Sequence, residues 1–179
     1  YRQFEEWLKM SWVKQDDFTL NQVSFIVKIS QPTLYRAYDN YLNNKAKGKE
    51  LLQWHGSSRE NMLNIASTGF LKRMVGSNIS NFARFGNGIY FSLCSSKSHE
   101  YSVGYSSAGN LGVVRNWESY TSGLLLCRVA VGKVMTYEND MPTIQSPPRG
   151  YQAVEGLVGA NLNYPELIVY DQQAILPVC

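Results

Sequence analysis

Cysteine and histidine are scarce in this chain, and charge is thin. Three cysteines, Cys94, Cys127 and Cys179, lie far apart among 179 residues. An odd, scattered set builds neither a disulfide framework nor a four-cysteine zinc site. With only His55 and His99 to add, no metal site is expected, and free thiols fit a reducing compartment. No apolar run approaches the ~18 residues that a membrane-spanning helix needs. The opening Tyr1-Arg2-Gln3-Phe4 lacks the layout of a signal peptide. The expected setting is therefore intracellular, cytoplasmic or nuclear, with no membrane partner. Net charge is only +3, so electrostatics offers no argument for nucleic acid. Lys45, Lys47 and Lys49 form the one local basic run, closed by Glu50; such a run reads as a solvated loop.

What the chain does contain is core material. Hydrophobic residues make up 44% and charged ones 17%, a balance that excludes the disordered and coiled-coil classes and, at this length, predicts one compact domain. Phe4, Trp7, Leu8 and Trp12 recur at helical spacing and predict an amphipathic opening helix. Val23, Phe25, Val27 and Ile29 alternate with other residues as in a half-buried strand. Ser30 and Pro32 signal the start of a helix with Leu34, Tyr38, Tyr41 and Leu42 along one face; Asn43 to Glu50 is a loop. Leu51 to Trp54 is a short apolar strand. Ser57-Ser58-Arg59-Glu60 matches a capping box built on Ser57 and Glu60. It opens a helix whose buried stripe is Met62, Ile65 and Ala66 and which Gly69 closes. Lys72 to Phe85 is polar and aperiodic, predicting a mobile loop over a cleft.

Gly86-Asn87-Gly88 is turn chemistry that asks for positive φ and leads into the strand Ile89-Tyr90-Phe91. Ser95 or Ser96 can cap a short helix showing Ser98 and Tyr101 on one face, so Tyr90, Ser98 and Tyr101 can converge. Gly123 to Val134 reads as a long buried strand broken at Gly132. Met135 to Gly150, with Pro142, Pro147 and Pro148, reads as a surface loop. Two further apolar strands are Leu167 to Tyr170 and Ala174 to Leu176, with Glu166 directly before the first. Singly, each piece has an ordinary explanation: a satisfied histidine, a hairpin turn, packing residues, a solvated strand-end carboxylate. Together they gather glycines, small polar groups and aromatic rings, as recognition of a flat amide-bearing ring requires.

In order and spacing these segments resemble the catalytic domain of the poly(ADP-ribose) polymerase family, the diphtheria-toxin-like ADP-ribosyltransferases. The resemblance runs from about Val23 to Pro177. It is carried by Trp54-His55-Gly56-Ser57, by Phe85-Gly86-Asn87-Gly88-Ile89-Tyr90-Phe91-Ser92, by Ser96-Lys97-Ser98 through Tyr101, by Gly150-Tyr151 to Gly156, and by Tyr164-Pro165-Glu166-Leu167-Ile168-Val169-Tyr170. It implies an α+β fold in which two small antiparallel sheets with flanking helices form a cleft for NAD. Residues 1–22 would be an N-terminal helical extension and 23–179 the ADP-ribosyltransferase catalytic domain.

The family's His-Tyr-Glu triad falls on His55, Tyr90 and Glu166. The resemblance gives Gly56 the nicotinamide carboxamide, held by backbone groups that a side chain would keep away. Ser98 adds a hydroxyl to that carboxamide, Tyr101 stacks on the ring, and Tyr90 packs on its other side and on the ribose. His55 and Ser57 contact the adenosine ribose. Glu166 stabilises the positive charge that develops as the bond from nicotinamide to ribose breaks, and orients the ribose hydroxyl. NAD is a substrate here, and no metal is implied.

The implied activity is transfer of ADP-ribose from NAD to an acceptor, protein side chains of a partner or of the chain itself. The stretch from Val158 to Tyr164 is shorter than in chain-elongating members and favours one transfer per site. Glu166, often lost in strictly mono-transferring members, leaves poly(ADP-ribose) elongation chemically open. Transfer to nucleic-acid ends, and a catalytically silent module that binds NAD or a partner, stay open as alternatives. The helical regulatory subdomain of DNA-damage-activated members does not fit in the residues before Val23, so gating by DNA breaks is not implied.

Overall fold

The computed structural model describes residues 2–13, 20, 22–72, 83–102, 122–159 and 162–179. Among these, the helices are α1 (Arg2–Met10), α2 (Pro32–Asn44), α3 (Arg59–Thr68) and α4 (Ser95–Ser102). The strands are β1 (Glu50–His55), β2 (Ile89–Phe91), β3 (Leu125–Ala130), β4 (Val134–Tyr137), β5 (Ala153–Gly156), β6 (Glu166–Val169) and β7 (Ile175–Pro177). One sheet runs β1-β3-β7 and the other β2-β6-β5-β4. The first is antiparallel throughout. In the second, β4 and β5 run parallel, which corrects the expectation of two antiparallel sheets. The connection through residues 138–152 is long enough to return the chain to the same end, and a parallel pair requires such a crossover.

Strand alternation explains where the core sits. In β6, Leu167 and Val169 enter one cluster with Phe91, Leu125, Cys127, Val129 and Ile175, covered by Tyr38 and Tyr41 of α2. Ile168, one position out of phase, enters a second cluster with Phe85, Val154, Leu162 and Tyr170. A strand buried on both faces needs the continuous apolar run that Leu167 to Val169 supplies. Far from the cleft, the Tyr38 hydroxyl donates to Glu50 Oε2 at 2.5 Å, and Arg128 grips the same carboxylate through Nε at 2.9 Å and Nη2 at 2.8 Å. That clamp locks α2 to the start of β1 and the register of β1 on β3.

Among the described residues, one bridge pair joins the backbones of the two sheets. Trp54 N–H donates to the Ser92 carbonyl at 2.9 Å, and Ser92 N–H returns a bond to the Trp54 carbonyl at 3.0 Å. The strand end before His55 is thereby fixed to the strand end after Tyr90.

Several local expectations are corrected. Val23, Ile26 and Ile29 are the half-buried positions of the opening extended segment, while Phe25 and Val27 are exposed. The period is three, not two, and the backbone bond from Ile29 N–H to the Val178 carbonyl at 2.9 Å ties its end to the residue after β7. Helix α2 is capped by Gln31 rather than Ser30, without a side-chain bond, and Pro32 fills the first turn. Helix α3 starts one residue later than the capping-box reading: Ser58 is its N-cap and accepts from Asn61 N–H at 3.3 Å. Gly69 does close that helix, at φ 79° and with its N–H on the Ile65 carbonyl. Strand β4 occupies the start of the expected surface loop, and β5 was not expected at all. All three cysteines are free. Most of the expected mobile loop, residues 73–82, lies outside the described residues.

Candidate active site

His55 is the last residue of β1, and alternation turns its ring away from the Trp54 side chain. Its Nδ1 lies 2.9 Å from the Tyr90 carbonyl oxygen. A carbonyl only accepts, so Nδ1 carries the proton and Nε2 is left as a bare acceptor. Phe70 meets the imidazole edge-on at 4.9 Å and Phe91 packs at 5.5 Å. Burial lowers the His55 pKa, against the bond to Tyr90, which raises it. The ring is therefore a neutral, fixed acceptor, suited to a ribose hydroxyl.

Gly56 follows, and here close approach decides the residue. A Cβ at this position would lie 1.6 Å from the Ser98 carbonyl oxygen and 2.6 Å from its carbon, so only glycine lets the turn after β1 press on α4. The Gly56 N–H and carbonyl have no hydrogen-bond partner among the described residues. One free donor beside one free acceptor is the pattern that a primary carboxamide complements. The residues present thus fit the nicotinamide end of NAD on an observation of their own.

Ser98 is buried, and its Oγ donates to the Trp54 carbonyl at 3.1 Å. As placed, its proton is committed to Trp54, so donation to a carboxamide oxygen requires the hydroxyl to rotate. Tyr101, three residues on, is half exposed, with Lys97 Nζ 5.5 Å from its ring centre. Ser57, half-buried just before α3, accepts from Asn61 Nδ2 at 3.2 Å.

Tyr90 is committed through its phenol. Its oxygen accepts from Phe85 N–H at 2.9 Å and donates to the Gly86 carbonyl at 2.9 Å, so the hydroxyl stitches the turn and only the ring is available to a ligand. Gly86 sits at φ 63° with its would-be Cβ 1.8 Å from the Ile144 carbonyl. The positive φ expected in this turn falls there and not on Gly88. Burial pushes the Tyr90 phenol well up.

Glu166 opens β6, opposite Gly156 on β5. It shares a sheet face with Ile168, which pairs with Tyr90. The side chain is only 6% exposed. Burial raises its pKa; Lys97 and Arg84 pull it down, and Glu100 and Asp140 push it up. Lys97 and Arg84 are themselves tied, to Glu100 at 3.1 Å and to Asp140 at 3.1 Å. Burial lowers Lys97, but Tyr101, Glu100 and Glu166 outweigh it, so the ammonium is held charged. A desolvated carboxylate among balanced charges is a strong electrostatic partner for a developing cation.

The structure therefore joins His55 directly to Tyr90 and presses Gly56 on Ser98, while the charge of Glu166 acts on the titration of Tyr90, Tyr101 and Lys97. Sequence reasoning missed Lys97, whose signal was its helical spacing to Glu100 and Tyr101. It also missed Ser92, whose Oγ accepts from Cys94 N–H at 3.0 Å and donates to the Pro165 carbonyl at 3.4 Å. Together with the Trp54 pair, that residue links the neighbours of all three triad positions.

Residues 11–161 match the model of the poly(ADP-ribose) polymerase catalytic domain. The chain belongs to the poly(ADP-ribose) polymerase catalytic-domain family and has the ADP-ribosyltransferase fold. It is 32% identical over 138 residues to protein mono-ADP-ribosyltransferase PARP4 of Mus musculus, covering 72% of this chain and 6% of that protein. It is 31% identical over 130 residues to protein mono-ADP-ribosyltransferase PARP3 of Gallus gallus, covering 73% and 20%. Poly(ADP-ribose) polymerase 2-A of Oryza sativa subsp. japonica is 26% identical over 153 residues, covering 86% and 21%. The chain spans about a fifth or less of the length of these relatives.

Proposed function

We propose that this chain is an NAD-dependent ADP-ribosyltransferase that cleaves the bond from nicotinamide to ribose and passes ADP-ribose to protein side chains, its own or a partner's, one unit per site. The observation that carries this reading is the pressed contact of Gly56 on Ser98, which leaves a free backbone donor and acceptor where the turn after β1 abuts α4, the helix that also carries the half-exposed Tyr101.

In this reading Gly56 and Ser98 hold the carboxamide, Tyr101 and Tyr90 sandwich the ring, and His55 Nε2 with Ser57 takes the adenosine ribose. Glu166 supplies negative charge that matters most as the glycosidic bond breaks, and accepts the proton of an attacking hydroxyl. Lys97 offsets part of the burial that raises the Glu166 pKa. Inversion at the anomeric carbon follows from one displacement. The relatives named as mono-ADP-ribosyltransferases and the brief connection through 157–165 support single transfer; the retained Glu166 keeps elongation as the alternative. The free thiols support an intracellular setting, in cytoplasm or nucleus.

The test is incubation of the protein and its Glu166→Ala variant with labelled NAD and a broad acceptor mixture, with product length and linkage read by mass spectrometry. The variant should bind NAD normally and lose turnover by about 10²-fold or more. Absence of transfer by the unmodified protein would overturn the enzyme reading, and label released by nuclease rather than protease would move the acceptor to nucleic acid.

A further inference from the structure

Helix α1 reaches the walls of the cleft from behind. Trp7 stacks on Trp54 with ring centres 5.0 Å apart and planes inclined by 28°. Trp54 is the residue whose carbonyl receives Ser98 Oγ and whose backbone pairs with Ser92 to join the sheets. The α1 end also grips α4: Ser95 N–H donates to the Ser11 carbonyl at 3.1 Å, and Ser95 Oγ donates to the Leu8 carbonyl at 3.1 Å. Just beyond α1, Trp12 sets its ring edge-on to His99 at 5.1 Å. The segment thus holds both elements between which Gly56 and Ser98 are pressed, without itself supplying a residue to the cleft.

The seam is close but incomplete. No residue of α1 is fully buried, and the indole N–H groups of Trp12 and Trp54 are buried without an acceptor among the described residues. Unsatisfied donors weigh against the docked arrangement, so its hold on the site depends on the ring stack and the two Ser95 bonds.

We propose that α1 is a positioning element of the nicotinamide pocket, with Trp7 acting through Trp54 on the spacing between Gly56 and α4. The proposal rests on the NAD-site reading above and adds to it a dependence on residues outside the cleft. It separates the two ends of the ligand. Nicotinamide and NAD use the Gly56–Ser98 gap and should feel a change in α1. ADP-ribose, which lacks the nicotinamide and relies on the His55 and Ser57 side, should not.

Calorimetric titration of the protein with NAD, nicotinamide and ADP-ribose tests this. Loss of a stacked aromatic pair predicts that Trp7→Ala weakens NAD and nicotinamide about tenfold while ADP-ribose stays within about twofold. Trp7→Phe, which keeps a stacking ring, should restore most of the affinity, and Glu6→Gln on the exposed face should change nothing. Should Trp7→Ala not fold, Ser95→Ala, which removes just the Oγ bond to Leu8, carries the same contrast between ligands. Folded Trp7→Ala that binds nicotinamide as the unmodified protein does would overturn the proposal. Equal weakening of all three ligands would also overturn it, since that marks general destabilisation. If the unmodified protein binds neither NAD nor nicotinamide, the NAD-site reading itself fails, a result distinct from either.

Discussion

Gly56→Ala is the smallest change that should break the site. The added methyl would start 1.6 Å from the Ser98 carbonyl oxygen, whereas ordinary contact begins at 3.4 Å. The obstacle is backbone, so no rotamer relieves it; the turn after β1 and α4 must separate by about 2 Å or both must distort. Overpacking of this kind costs about 1–3 kcal/mol of stability. Its effect on function should be larger, because the displaced helix carries Ser98 and Tyr101. Misplacement by about 1 Å can cost about 10²-fold in turnover. The assay is nicotinamide release from NAD under single-turnover conditions, with a denaturation curve on the same sample. The expected outcome is a folded variant with weakened NAD binding and turnover down by about 10²-fold. Turnover within about twofold of the unmodified protein would show that the Gly56–Ser98 contact does not shape the pocket, and the argument from close approach would be wrong.

Three other outcomes are expected. Tyr90→Phe strands the Phe85 N–H and the Gly86 carbonyl and should cost about 1–3 kcal/mol in chemical denaturation, while turnover falls less than in Tyr90→Ala because the ring remains. Burial holds the Glu166 pKa above 4.5, so the folded chain keeps this proton longer than the unfolded chain. That contribution to stability is complete below about pH 4.5 and is lost as pH rises through the folded pKa. Glu166→Gln removes the dependence, and its melting temperature should gain on that of the unmodified protein as pH rises above about 4.5; parallel curves would contradict the burial argument. Ser58→Ala should cost about 1 kcal/mol as a lost N-cap, measured by denaturant midpoint, and Ser57→Ala clearly less.

The motifs around the site were legible because each is a local device. A glycine after a strand-end histidine, a turn glycine before an aromatic strand, and a helix with Ser98 and Tyr101 on one face all announce themselves within a few residues. What joins them is not local. The bond from His55 to the Tyr90 carbonyl and the pair between Trp54 and Ser92 depend on how two sheets meet, and a backbone carbonyl leaves no mark in the sequence. Strands β4 and β5 escaped notice because they are short and pair with each other in parallel. Val134 to Tyr137 runs straight into a proline-rich connection, and Ala153 to Gly156 offers small residues rather than branched ones. The segment 22–30 misled in the opposite direction: its apolar residues do alternate, but no strand among the described residues pairs along it, and the half-buried positions fall at a period of three. The capping serine was displaced by one because Ser57 and Ser58 are adjacent: the Asn61 backbone N–H goes to Ser58, and Ser57 receives the Asn61 side-chain amide instead.

Strand β3 lies between β1 and β7. Val129 faces Ile175, and the Leu126 N–H is held by the carbonyl of Cys179 at 2.6 Å. The sheet that presents His55 is thus closed by residues synthesised more than a hundred positions later. During translation, His55, Gly56 and Ser57 emerge with β1 long before any partner strand exists. Until residues 175–179 have left the ribosome, β3 has an open edge, so the sheet that ends in His55 is completed only when the last strand arrives.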